Sequence, residues 1–223
     1  MDDELLSFEV LLPEHSNSQY RSARRGRICI STEQYGDELL EVPLVVGRSL
    51  KAALDKGRTE PFVRSELLAW IEEVSLTCGH ARVEALLSRR DYSSQELSRK
   101  LIDDGYSPDI VKTLVNRARS SGLVNDTRYA DSFIRTKLSA GWGKDKIERE
   151  LSRKGIDAEQ IEGWPDEYLP EGTERERAFE LALSRPLTGK NDYARLVRFL
   201  CGRGFSYGLA ADVAQEVLEN TCQ

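Results

Sequence analysis

Apolar residues recur at helical spacing through most of this chain, and one arrangement of them is written three times. Leu97-x3-Leu101-x3-Gly105 is followed by Ile147-x3-Leu151-x3-Gly155 and then by Leu196-x3-Leu200-x3-Gly204, at shifts of 50 and 49 positions. Two apolar residues four apart share one helical face, and a glycine four further on suits the left-handed residue that stops a helix. A fixed period of this length marks one small helical unit used in tandem.

The neighbouring pattern fills in each unit. In the first, Val83, Leu86 and Leu87 stripe a helix ending near Arg90, and Ser93 with Glu96 forms a capping box for the helix of the motif. Ser107-Pro108 opens a third helix, striped by Ile110, Leu114 and Val115 and ending by Gly122. In the second unit Asp126 caps a helix carrying Tyr129, Ala130, Phe133, Ile134 and Leu138. Gly143 takes the place of Ser93 before the helix Lys144 to Lys154, and Trp164-Pro165 makes the third helix short or irregular. The last unit runs from Glu174 to Leu183, restarts with Asp192 as the cap, and closes with a helix from Tyr207 to Glu219. Pro165 to Gly172 and Pro186 to Gly189 read as flexible joints.

Ahead of the repeats the period changes. Residues 1–25 mix short apolar pieces with polar ones and are expected to be a partly disordered extension. Arg27 to Ser31 and Leu39 to Val46 read as the strands of a small β-hairpin, with Pro43 favouring an edge position. A short helix, Arg48 to Lys56, follows, and Pro61 opens a longer one that Gly79 breaks or bends. The expected fold is mainly α: a β-hairpin with helices (26–79), then three-helix repeats at 80–123, 124–172 and 173–223.

Composition narrows the class. With 39% hydrophobic and 31% charged residues the chain reads as soluble, and no run approaches the roughly 18–20 apolar residues of a membrane helix. Met1-Asp2-Asp3-Glu4 is acidic, unlike a secretory signal, so a cytoplasmic location is expected. Cys29, Cys78, Cys201 and Cys222 are scattered and only His15 and His80 supply imidazoles, so neither a zinc site nor another cofactor is expected. The net charge of −6 is uneven: residues 1–81 carry 9 basic against 14 acidic side chains, 82–160 carry 16 against 13, and 161–223 carry 7 against 11. A mildly basic middle between acidic flanks argues against tight, sequence-independent binding to DNA alone.

No phosphate-binding glycine loop, nucleophile elbow or His-Glu-x2-His is present, and Asp103-Asp104 reads as a solvated helix end, so an enzyme is not expected. Core packing is the first reading of Tyr129 and Phe133, four apart on one helix. The basic residues form the one notable set. Lys146, Arg149 and Arg153 stripe the helix face opposite Ile147 and Leu151, flanked by Lys144 and Lys154, with Arg128, Arg135 and Lys137 on the preceding helix. Arg89, Arg90, Arg99 and Lys100 hold comparable ground in the first unit. Singly, each fits an ordinary solvated face whose i,i+4 ion pairs are worth about 0.2–0.5 kcal/mol. Together, in the one basic segment, they read as a surface for a polyanion or an acidic protein.

Three ordered motifs carry a family resemblance. Arg89-x3-Ser93-x2-Glu96-Leu97-x2-Lys100-Leu101-x3-Gly105, then Gly122-Leu123-Val124-Asn125-Asp126-x2-Tyr129-Ala130, then Ile147-x2-Glu150-Leu151-x2-Lys154-Gly155-Ile156 together resemble the bacterial RecX family of RecA regulators. The resemblance is close over residues 80–160 and looser over 26–79 and the third repeat. It implies three tandem three-helix repeats in an elongated, curved array. It also implies binding to the RecA filament on single-stranded DNA, where family members typically restrain filament growth, ATP hydrolysis and strand exchange, within recombination, DNA repair and the SOS response; a monomer is expected. Single-stranded DNA would be met inside that complex and weakly, if at all, outside it. No catalytic residues come with the family. The rival reading is a stand-alone DNA-binding helical module or transcription regulator.

Overall fold

Three antiparallel strands open the fold in the order β1-β2-β3, with β1 at Leu5–Leu11, β2 at Arg25–Thr32 and β3 at Gly36–Pro43. The structure, a computed structural model, describes residues 4–13 and 25–221. The sheet exceeds the expected hairpin by one strand. Leu5–Leu11 falls within the segment expected to be partly disordered, whereas residues 1–3 and 14–24 lie outside the described residues. Its periodicity is hard to read because the pairing slips between Leu5 and Ser7. Along β2 the alternation is plain: Ile28, Ile30 and Thr32 point into the core.

Helix α1 spans Leu44–Asp55, starting four residues before the expected Arg48. Pro43 ends the strand in an extended conformation, and Val46 and Leu50, four apart, are both fully buried on one helical face. Helix α2, Arg64–Leu87, runs unbroken through Gly79. The expectation of a break there is corrected: a Cβ on Gly79 would overlap the Leu114 side chain, so the glycine admits a neighbour rather than a bend. That neighbour belongs to α4, Pro108–Ser120, which with α3, Ser94–Asp104, completes the first repeat. Sheet, α1, α2, α3 and α4 share one continuous apolar core from Val10 to Val124. Asp104, expected as a solvated helix end, is instead paired with Arg82 of α2 at 2.7 Å.

The residues through Val124 form one compact unit and those from Asn125 a second. In the second, α5 (Asp126–Ser139), α6 (Lys144–Arg153) and a short 3-10 turn (Ala158–Gln160) make up the middle repeat. The last repeat is α7 (Thr173–Leu183), α8 (Asp192–Arg203) and α9 (Tyr207–Thr221). Each has its own small core, one around Ile134, Ile147 and Leu151 and the other around Leu196, Leu200 and Val213. The expected caps Asp126 and Asp192 both sit one residue inside their helices, after Asn125 and Asn191.

All three copies of the motif end alike. Gly105, Gly155 and Gly204 adopt φ of 100°, 75° and 95°. In each copy the glycine N–H bonds the carbonyl three residues back, at Ile102, Ser152 and Cys201. The next residue's N–H bonds the carbonyl of the second apolar residue, at Leu101, Leu151 and Leu200. These are the paired bonds of a Schellman stop. Its accompanying apolar residue is Tyr106, Ile156 or Phe205, all buried. The Ser93–Glu96 capping box forms as expected at the start of α3. Among the described residues no helix is long and apolar enough to cross a membrane.

Candidate partner-binding surface

On α6 the apolar stripe turns Ile147 and Leu151 fully inward, which leaves the basic residues between them toward the surface. Arg149 and Arg153 are exposed there. The Arg149 Nε donates to the Asp145 carbonyl at 3.1 Å, and Arg153 pairs with Glu150 at 2.6 Å. Lys144 lies 3.9 Å from Glu148. On α5, Arg128 is exposed, and Arg135 is held by Asp131 at 2.9 Å with its guanidinium 5.2 Å from the Tyr168 ring centroid. The Tyr168 hydroxyl donates to Asp131 at 2.8 Å and, together with Arg135, holds that carboxyl below its ordinary range. Burial, more than this bond, raises the tyrosine itself.

The remaining lysines of the repeat sit on aromatic rings. Tyr129 stacks on Phe133 and Phe133 meets Trp142 edge-on, both at 6.3 Å between centroids. Lys154 Nζ lies 5.5 Å from the Tyr129 centroid and 5.4 Å from that of Phe133. Lys137 lies 5.3 Å from Phe133 and 4.9 Å from Trp142, and Lys146 lies 4.4 Å from Trp142. Rings and lysines alike are half-buried. Such cation–π contacts are worth about 0.5–1 kcal/mol at exposed sites and keep the ammonium groups at the surface.

The other sequence-predicted residues belong to the first unit. Arg89 follows the end of α2, and Arg99 and Lys100 lie on α3, where Arg99 donates to the Gln95 side chain at 2.9 Å. Arg90 stacks on Tyr92 and contacts Glu96 at 3.4 Å.

Three features of the second unit escaped the sequence reading. Arg177 of α7 donates to the Leu138 and Trp142 carbonyls of the middle repeat, at 2.6 and 3.0 Å, and burial lowers its affinity for protons. The Gly143 N–H donates to the Arg203 carbonyl at 2.9 Å, and Arg203 returns a bond to the Ala140 carbonyl, also at 2.9 Å. Gly143 and Gly204 are both glycines for space. A Cβ on the first would strike the Gly204 carbonyl, and one on the second would strike Lys146. Close backbone approach leaves no pattern in a single sequence, so only the helix-stop role of Gly204 was readable. No group of side chains among the described residues could hold a metal ion.

Comparison with known proteins places this architecture. The family model for the RecX first three-helix domain matches residues 81–117, and that for its second three-helix domain matches residues 125–163. A regulatory protein RecX of Chromohalobacter salexigens is 33% identical over 140 residues, covering 61% of this chain and 90% of that protein. One from Mycobacterium sp. (strain JLS) is 35% identical over 144 residues, covering 60% and 78%. A crystal structure of regulatory protein RecX shares the fold with a TM-score of 0.55 at 17% identity, over 96% of this chain and 99% of that one. RecX from Lactobacillus salivarius superimposes with a TM-score of 0.53 at 24% identity, over 63% and 95%. By its repeats, their helix stops and these relatives, the chain belongs to the RecX family of regulatory proteins.

Proposed function

We propose that this chain is a non-enzymatic cytoplasmic regulator that binds the RecA recombinase filament on single-stranded DNA and restrains its growth, ATP hydrolysis and strand exchange. One observation carries the reading: the family match at residues 125–163 falls on the helix pair that bears the basic surface. With the repeats at 80–123, 124–172 and 173–223 as working units, one chain would touch successive filament protomers and change their exchange or packing. The exposed guanidinium groups of Arg149 and Arg153 would meet carboxylates or phosphates there. Cosedimentation with preassembled filaments should show saturable binding, and strand exchange should fall. Filaments that neither bind the chain nor slow at stoichiometric ratios would sink the proposal.

The basic second helix of the middle repeat favours one alternative, a stand-alone DNA-binding module. Its mark would be duplex binding without recombinase, with affinity falling steeply as salt rises.

A further inference from the structure

Counted along the sequence, residues 161–223 are acidic, but their charges are not mixed evenly. The stretch 184–203 holds Arg185, Lys190, Arg195, Arg198 and Arg203 against one acid, Asp192. That acid is occupied. Its carboxylate accepts from the Thr188 and Gly189 amides and pairs with Arg195. The last repeat therefore presents a basic face on α8 and the loop before it.

This face joins the aromatic row of the middle repeat. Lys146, already over Trp142, donates from Nζ to the Gly202 carbonyl at 3.2 Å. The neighbouring Arg203 bonds Ala140 and sits 5.4 Å from the Phe199 centroid, which Arg185 covers at 4.2 Å. Tyr129, Phe133, Trp142 and Phe199 each pack against a core, yet all stay partly exposed. Among the described residues, Lys137, Lys146, Arg185 and Arg203 have no carboxylate partner, while Glu150 is engaged by Arg153 and Glu148 by Lys144 and the Trp164 Nε1–H. Rings interleaved with cations that no acid neutralises are the pattern that receives an unpaired strand, with bases on the aromatics and phosphates on the cations. An acidic protein surface would use the cations but has no need of four rings.

We propose that the strip from Tyr129 through Trp142 to Phe199 is a contact track for single-stranded DNA, shared by the middle and last repeats. It deepens the function proposed above and rests on it. Lys137 and Arg185, now over the rings, would turn to phosphates as bases take the rings, while Lys146 and Arg203 keep their carbonyl bonds.

The test is fluorescence anisotropy of a labelled oligothymidylate at low salt, with the full chain and no recombinase, alongside cosedimentation with RecA filaments. The wild-type chain should bind the oligonucleotide with quenching of tryptophan emission and should release it as salt rises. Trp142→Leu and Phe199→Leu keep an apolar side chain while removing the ring and should each weaken binding about tenfold through lost stacking. Arg185→Ala, at an exposed position, should weaken it without changing thermal unfolding. If the chain ignores the oligonucleotide while still binding filaments, or if all three variants bind it like wild type, the track is refuted and the regulatory reading stands. If oligonucleotide binding follows the predicted pattern but filaments are untouched, the track stands and the regulatory reading falls.

Discussion

The first repeat and the last two are built from the same helix motif but are held in place by different forces. Around α3 and α4 a single apolar core runs without a break into α2, α1 and the sheet. The middle and last repeats keep separate cores and are tied through polar contacts to backbone carbonyls. Gly105 shows the same contrast with Gly204. A Cβ on Gly105 would meet the Arg25 side chain no closer than 3.4 Å, a flexible neighbour, whereas one on Gly204 would overlap Lys146 down to its backbone. A shared motif thus fixes how each unit ends, while its surroundings decide whether burial or hydrogen bonding seats it.

The strongest challenge to this contrast is core truncation. Leu101→Ala and Leu151→Ala both remove fully buried side chains and should each cost about 2–5 kcal/mol. Urea unfolding followed by circular dichroism should show the first loosening sheet and helices together, and the second sparing the sheet. Equal loss of the sheet signal in both would erase the distinction. Alanine at the motif glycines is a finer probe. Gly105→Ala and Gly204→Ala each incur about 1–2 kcal/mol for a left-handed alanine, and Gly204→Ala should lose more because it also displaces Lys146. Identical melting shifts for the two would return Gly204 to a helix stop alone.

Arg177→Gln removes the charged donor between the middle and last repeats and should cost about 1.5–3 kcal/mol, with faster amide exchange at Gly143. Unchanged exchange there would deny Arg177 a joining role. A smaller effect is expected at Asp192, whose carboxyl is held below the usual range chiefly by the Thr188 amide, then by Gly189 and Arg195. A lowered folded value means its contribution is complete above the unfolded pKa of about 3.9 and disappears as pH falls through the folded value. Asp192→Ala should therefore melt below wild type at neutral pH, with the gap closing in acid. A gap that widens in acid would reverse that assignment.

Most chemistry that acts within a few residues was legible in the sequence, although the caps expected at Asp126 and Asp192 lie one residue earlier, at Asn125 and Asn191. Ser93 and Glu96 announce their capping box, and the glycine stops at 105, 155 and 204 follow from spacing alone. Approach between distant segments was not. Gly79 looks like a helix breaker until Leu114 is placed beside it, and Gly143 like a poor cap until the Gly204 carbonyl is. Charge counted over long windows also concealed the basic face of α8, because the acids of the last repeat lie mostly on other elements. Tyr129 and Phe133 were visible as a helical pair, but Trp142 joins them only across the α5–α6 turn.

Lys146 has a structural seat against Gly202, so a probe of the partner surface is cleaner at Arg149 and Arg153, which are exposed, the first bonding the Asp145 carbonyl and the second Glu150. The direct measurement is a titration of the single-strand-dependent ATPase of RecA with the wild-type chain and with the double variant Arg149→Glu/Arg153→Glu. Hydrolysis should fall to a plateau with wild type and fall much less with the variant, whose helix content is unchanged. ATP turnover that stays level through stoichiometric addition of the wild-type chain would contradict the regulatory account.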